Sequence, residues 1–175
     1  MDIRAQKSRN KIIDTFLELR SKKNLEKITV TEICKVAKIN KSTFYAHFHD
    51  IYDLSDCLET QLVDEILSTM QHPENIVFDK RSFTVEMAKA YIANSDKIDI
   101  IFSGSRSVFL PQRISKSLKS FVFNRYPELA DDPKTNISLT YSIYGGFYTY
   151  NENIKYGADK IVEVISEIEG VNFLT

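Results

Sequence analysis

Between Thr29 and His49 the chain concentrates side chains that donate hydrogen bonds, and few other stretches carry groups able to do chemistry. Lys41, Ser42, Thr43 and Tyr45 crowd into five positions, with Thr29 and Thr31 before them and His47 after. Ammonium, hydroxyl and imidazole groups of this kind reach phosphate oxygens and base edges. Thr29, Lys41 and His47, with Arg4, Lys7 and Arg9 upstream, suit an anion clamp, because cations and helix N-termini favour negative charge. His47 and His49 could also be read as a metal pair. Alternate positions on a helix point apart, however, and no Cys or carboxylate completes a site, so neither a metal nor another cofactor is expected. Enzyme chemistry is not expected either. The sequence holds no Gly-rich phosphate loop, no HExxH, no Cys-His-Asp arrangement and no paired carboxylates in an apolar segment. The remaining histidine, His72, sits beside Pro73 at a helix end. Cys34 and Cys57 are too few for a disulfide framework, and both fall on apolar helical faces, as inert core thiols do.

Charge is divided along the chain. Residues 1–50 hold 11 Lys and Arg against 6 Asp and Glu, a net of +5, whereas residues 51–175 hold 12 against 18, a net of −6. A basic head on an acidic body implies two jobs. No apolar stretch approaches the roughly 20 residues a membrane span requires, and the first residues do not resemble a signal peptide. The expectation is a reduced, soluble, cytoplasmic protein with no membrane partner.

The elements that would carry the donor cluster are helical. Ile12, Phe16 and Leu19 share one stripe, and Ile51, Leu54, Leu58, Leu62, Ile66 and Met70 form another that runs from Asp50 to His72-Pro73. No segment alternates with period two, and with 5 Gly and 4 Pro the turn punctuation of a β-sandwich is missing. About eight to ten helices and no sheet are predicted. Thr29-Val30-Thr31-Glu32 reads as a capping box, Asn40 as the next cap and Asp50 as the one after. Two helices within that spacing need a tight turn at Lys38-Ile39-Asn40. Ile33, Val36 and Ala37 would line the inside of the first helix and Phe44 and Phe48 the inside of the second, with Ile39 at the corner. That is a helix-turn-helix, whose second helix lies in a DNA major groove.

The run Ile28-Thr29-Val30-Thr31-Glu32-Ile33-Cys34-Lys35-Val36-Ala37, followed by Ile39-Asn40-Lys41-Ser42-Thr43-Phe44-Tyr45-Ala46-His47-Phe48, resembles the N-terminal domain of the TetR (tetracycline repressor) family of transcriptional regulators. The match covers about residues 8–70, and the rest agrees only in length and helical character. Three positions depart from the family pattern. Lys38 stands where Gly is usual, His47 where Tyr is common, and Ile51 where a phosphate-holding Lys is often found. The resemblance implies an all-α fold, with an N-terminal three-helix helix-turn-helix domain followed by a helical ligand-binding and dimerisation domain. The domains would span 1–50, packed on the start of the helix at 51–72, and 51–175. It also implies that Thr31, Lys41, Ser42, Thr43 and Tyr45 face DNA, joined by Thr29 and His47 as phosphate contacts, in a homodimer that reads a near-palindromic operator as a repressor.

For the acidic body, the expected walls of an effector cavity are Tyr91, Phe102, Phe121, Tyr141 and Tyr144. Arg106 and Arg113 read as solvated surface charges. Gly145-Gly146 inside a long helix at 137–156 would require close approach by another backbone. As the resemblance implies, the last two helices pair with their copies in a four-helix bundle, with Gly146, Tyr150, Ile154, Ile161, Val162, Ile165 and Ile168 at the interface. Two alternatives remain open: control by a protein co-regulator, and a helical interaction protein that binds no DNA.

Overall fold

The computed structural model describes residues Ile3–Gly170, with side chains through Ile168. The described residues are all-helical, with no strand: α1 (Ile3–Arg20), α2 (Val30–Ala37), α3 (Lys41–Tyr45), α4 (Ile51–Ser68), α5 (Asn75–Phe78), α6 (Lys80–Ala93), α7 (Ser95–Ile101), α8 (Phe109–Arg125), α9 (Pro133–Glu152) and α10 (Ala158–Gly170). No helix among them is long and apolar enough to cross a membrane.

The chain divides into two compact units. One comprises the chain up to Leu62 together with Asp96–Val108, and the other Val63–Ser95 together with the chain from Phe109 onward. In the first unit α1 packs on α2 and α3, and α2 packs on α3. Ile12, Phe16, Ile33, Phe44, Phe48 and Leu54 are buried there. Burying a side chain of this size contributes about 1.5–3 kcal/mol relative to exposure, so these few positions fix how the short helices sit. Val36, expected inside, is 46% exposed. The buried stripe of α2 runs through Ile33, Cys34 and Ala37, so position 36 falls off its edge and Cys34 takes the inner place. Burial pushes the Cys34 thiol above its ordinary pKa, as suits an inert core thiol.

In the second unit α6 packs on α5 and α10, and α9 packs on α5, α8 and α10. Asp79 caps α6 through the Ser82 amide, and Asp132 caps α9 through the Thr135 amide with Pro133 at the first helical position. The long helix ends at Glu152, and a 3-10 turn over Ile154–Tyr156 leads to Gly157. The close approach expected at Gly145-Gly146 is absent among the described residues, because a methyl group built at either position would meet nothing within 4 Å.

Candidate nucleic-acid interface

Local hydrogen bonding shapes the donor-rich segment before any packing does. Thr29 Oγ1 accepts from the Glu32 amide at 3.2 Å and so caps α2. The reciprocal half of the expected capping box does not form. The Glu32 carboxylate instead takes both its bonds from Lys23 Nζ, at 2.6 and 2.7 Å, an ion pair stronger than a bond to a neutral amide. α2 stops at Lys38, whose φ of 54° and ψ of 49° are left-handed, and whose amide and that of Ile39 both return to the Cys34 carbonyl.

Asn40 then starts α3. Its Oδ1 accepts from the Thr43 amide at 2.7 Å, from Thr43 Oγ1 at 2.6 Å and from Ser42 Oγ at 2.8 Å. A hydroxyl has one proton, and both hydroxyls spend it on Asn40. Outward, Ser42 and Thr43 therefore present acceptors where the sequence suggested donors, which suits the amino groups of adenine or cytosine.

Phe44 is fully buried and Phe48 nearly so, which anchors α3 and turns the rest of its short surface out. Lys41 and Ser42 are exposed and Thr43 half-buried. Tyr45 is 56% exposed, and its ring stands edge-on to Phe44 at 5.6 Å, so its direction is set by the core beneath it. Lys41 makes no ion pair among the described residues, although Lys23 and Lys22 both do. Thr29 and Thr31 are exposed at the start of α2, and Lys7 and Lys11 are exposed on α1. Arg9 does not reach outward. Its guanidinium lies over the Phe48 ring at 5.4 Å and Nη2 donates to Cys57 Sγ at 3.3 Å. His47 is half-buried, with Nε2 2.7 Å from Ser8 Oγ. His49 stands 3.6 Å from Asp50, and no group of three or more metal-ligating side chains occurs among the described residues. Asp50 accepts from the Tyr52 and Asp53 amides, while Asp53 accepts from the His49 amide. The Asp53 amide bond in particular holds the Asp50 carboxyl below its ordinary pKa and fixes the start of α4.

The other expected sites fare differently. A cavity of about 90 Å³ lies within the second unit, walled by Phe83, Met87, Tyr91, Phe147 and Tyr150 among others. Of the five aromatic residues expected to line a cavity, Tyr91 alone does so, stacked edge-on with Tyr150 at 5.4 Å. Phe102 is buried in the first unit. Phe121 and Tyr141 are exposed because the buried faces of α8 and α9 run through Leu118 and Val122 and through Leu139 and Ile143. Tyr144 is half-buried away from the cavity wall. Of the seven positions expected between subunits, Gly146, Tyr150, Val162 and Ile165 line this cavity and Ile161 is buried, which leaves Ile154 and Ile168 exposed. The reason is that α10 spends its apolar stripe on α6. Arg106, read from sequence as solvated, is buried instead in an ion-paired cluster with Asp56 and Glu59, while Arg113 is half-buried. No known protein family, curated protein or solved structure matches the chain.

Proposed function

We propose that this chain is a sequence-specific DNA-binding transcriptional regulator of the TetR kind, working as a homodimer and a repressor. α2 and α3 would form the helix-turn-helix, with α3 in the major groove. The observation that carries this reading is the outer surface of α3. Lys41, Ser42 and Tyr45 stand exposed on a helix whose inner side is locked by Phe44, and among the described residues no carboxylate pairs with Lys41. A surface helix kept for packing alone would not need that set of groups. Two such helices, one per subunit, would enter successive major grooves about 34–36 Å apart.

Selection of bound fragments from random DNA tests this directly, since the consensus reports both symmetry and spacing. An inverted repeat with half-sites about one turn apart is expected, and no enrichment would overturn the reading. On the selected site, Lys41→Ala and Tyr45→Ala are expected to weaken binding by about 1–3 kcal/mol each with the melting temperature nearly unchanged.

A specific observation favours a second reading of the control input. The aromatic-walled cavity, at about 90 Å³, is well below the roughly 300–1,000 Å³ of drug-sized sites, and the groove of about 700 Å³ along Met70, Arg81, Val85, Glu86 and Lys89 reaches that size only as an open cleft. A protein co-regulator docking on the exposed side chains of the second unit would need no such cavity. Thermal-shift screening of small molecules against pull-down of a co-regulator separates the two.

A further inference from the structure

We propose that Ser8 is a positioning residue that fixes which nitrogen of His47 carries a proton, so that His47 meets a DNA phosphate only as an imidazolium and each head takes up one proton on binding DNA. This rests on the DNA-binding reading above.

Ser8 Oγ lies 2.9 Å from the Ala5 carbonyl oxygen, which can only accept, so the single hydroxyl proton points there. The same Oγ lies 2.7 Å from His47 Nε2. With its proton committed, Oγ can only accept from the ring, so Nε2 carries a hydrogen. In the neutral imidazole that leaves a bare lone pair on Nδ1, whereas in the cation both nitrogens donate. No hydrogen bond among the described residues occupies Nδ1, and none of their carboxylates pairs with His47. A lone pair repels a phosphate oxygen and an N–H attracts it. Neutral His47 is thereby unfit for phosphate, and protonation makes it a charge-assisted donor.

The position supports the role. His47 follows α3 directly, its amide bonded to the Phe44 carbonyl at 2.9 Å, and it is only two residues beyond the exposed Tyr45. On α1, Arg4, Lys7 and Lys11 lie within a turn of Ser8 and are exposed, and Arg9 is turned onto Phe48 and onto Cys57 of α4. Beyond Phe48, His49 and Asp50 face each other. On α3, Lys41 and Tyr45 are exposed. The phosphate would supply the counter-anion that the described residues do not. A base whose charged form gains a partner on binding holds its proton to higher pH. A gain of this sign is present at low pH and is lost as pH rises.

The test is fluorescence anisotropy of the full chain on a random-sequence duplex of about three helical turns at low salt, because phosphate contacts need no particular sequence. Titrations run from about pH 8 to about pH 5.5, with circular dichroism at each pH to report the fold. Wild-type affinity is expected to rise about tenfold per head as pH falls. His47→Asn, whose amide overlies Nδ1, and His47→Gln, whose amide overlies Nε2 and keeps the Ser8 bond, are both expected to bind with no such rise. Of the two, His47→Asn is expected to bind more tightly at pH 8. Ser8→Ala frees the neutral ring to offer an N–H to phosphate and is expected to flatten the profile, while Ser8→Thr restores it and His49→Gln leaves it unchanged. A wild-type profile without the rise, a rise that survives in the His47 variants, or one indifferent to Ser8→Ala would overturn the proposal. A folded wild-type chain that binds no duplex at either pH would overturn the DNA reading itself and this inference with it.

Discussion

At the residue scale, two positions show how much the backbone demands of single side chains. Lys38 holds a left-handed conformation that costs an L-residue about 1–2 kcal/mol, because its Cβ crowds the following carbonyl. Glycine would escape the crowding but would lose more conformational freedom on folding. The net expectation is that Lys38→Gly stabilises the chain by about 0.5–1 kcal/mol in urea denaturation, and a loss of stability would mean the lysine makes a compensating contact. Asn40 is the second. By drawing in the Ser42 and Thr43 protons it sets the polarity that these two groups offer outward. The Asn-Lys-Ser-Thr run advertises the cap, but which way each hydroxyl proton points is a matter of competing acceptors within a few ångströms and is not written in residue types.

At the element scale, the segment Asp96–Val108 matters out of proportion to its length. It returns to the first unit after the chain has left it at Leu62. Arg106, 9% exposed, reaches the fully buried Glu59 of α4 with Nε at 2.6 Å and Nη2 at 2.8 Å, and also bonds Asp56. Ser55 Oγ donates a further bond to Glu59 at 2.9 Å. Burial alone would lower the Arg106 pKa, but the Glu59 and Asp56 carboxylates outweigh it and hold it above its ordinary value. From α1, Arg20 Nη2 donates to Ser103 Oγ at 2.7 Å and to the Ile101 and Ser103 carbonyls at 3.3 and 3.2 Å. Removing one member of a buried pair strands the other, so Arg106→Leu is expected to cost about 3–5 kcal/mol in urea unfolding. Arg106→Leu combined with Glu59→Leu should recover most of that, because desolvating two charges offsets much of their attraction. Equal losses in the single and double variants would show that the cluster is not the reason the segment stays in place.

At the scale of the whole molecule, exposed apolar side chains concentrate on one side of α9 and past its end. Ile137, Tyr141 and Tyr148 recur at helical spacing, with Tyr141 64% exposed, and Gly145 lies on the same stripe with open space before it. If two copies pair as proposed, this stripe is the larger face available, since α10 buries Ile161 and Ile165 and leaves only Val164 and Ile168 exposed. Tyr141→Glu is therefore expected to weaken self-association by tenfold or more in sedimentation equilibrium, about 1.4 kcal/mol. A variant that dimerises like the wild type would place the contact elsewhere. Most positions expected at the interface are turned into their own chain, for a definite reason. The stripe through Ile161 and Ile165 was legible as apolar, but its period is the same whether it meets its own α6 or a second chain.

The sequence by itself determined the helical class, the caps at Thr29, Asn40 and Asp50, and the inward placement of Phe44 and Phe48. Each of these follows from interactions within a few residues or from a 3.6-residue period of apolar side chains. It also determined the concentration of cations in the first fifty residues, which is a matter of counting. Only the tertiary structure decided which helix covers which stripe, that Arg106 is buried, that Tyr91 meets Tyr150, and that Ser8 meets His47 across 39 positions. Those pairings depend on where distant segments arrive together, and a side chain's type states what it can bond to but not what will stand beside it.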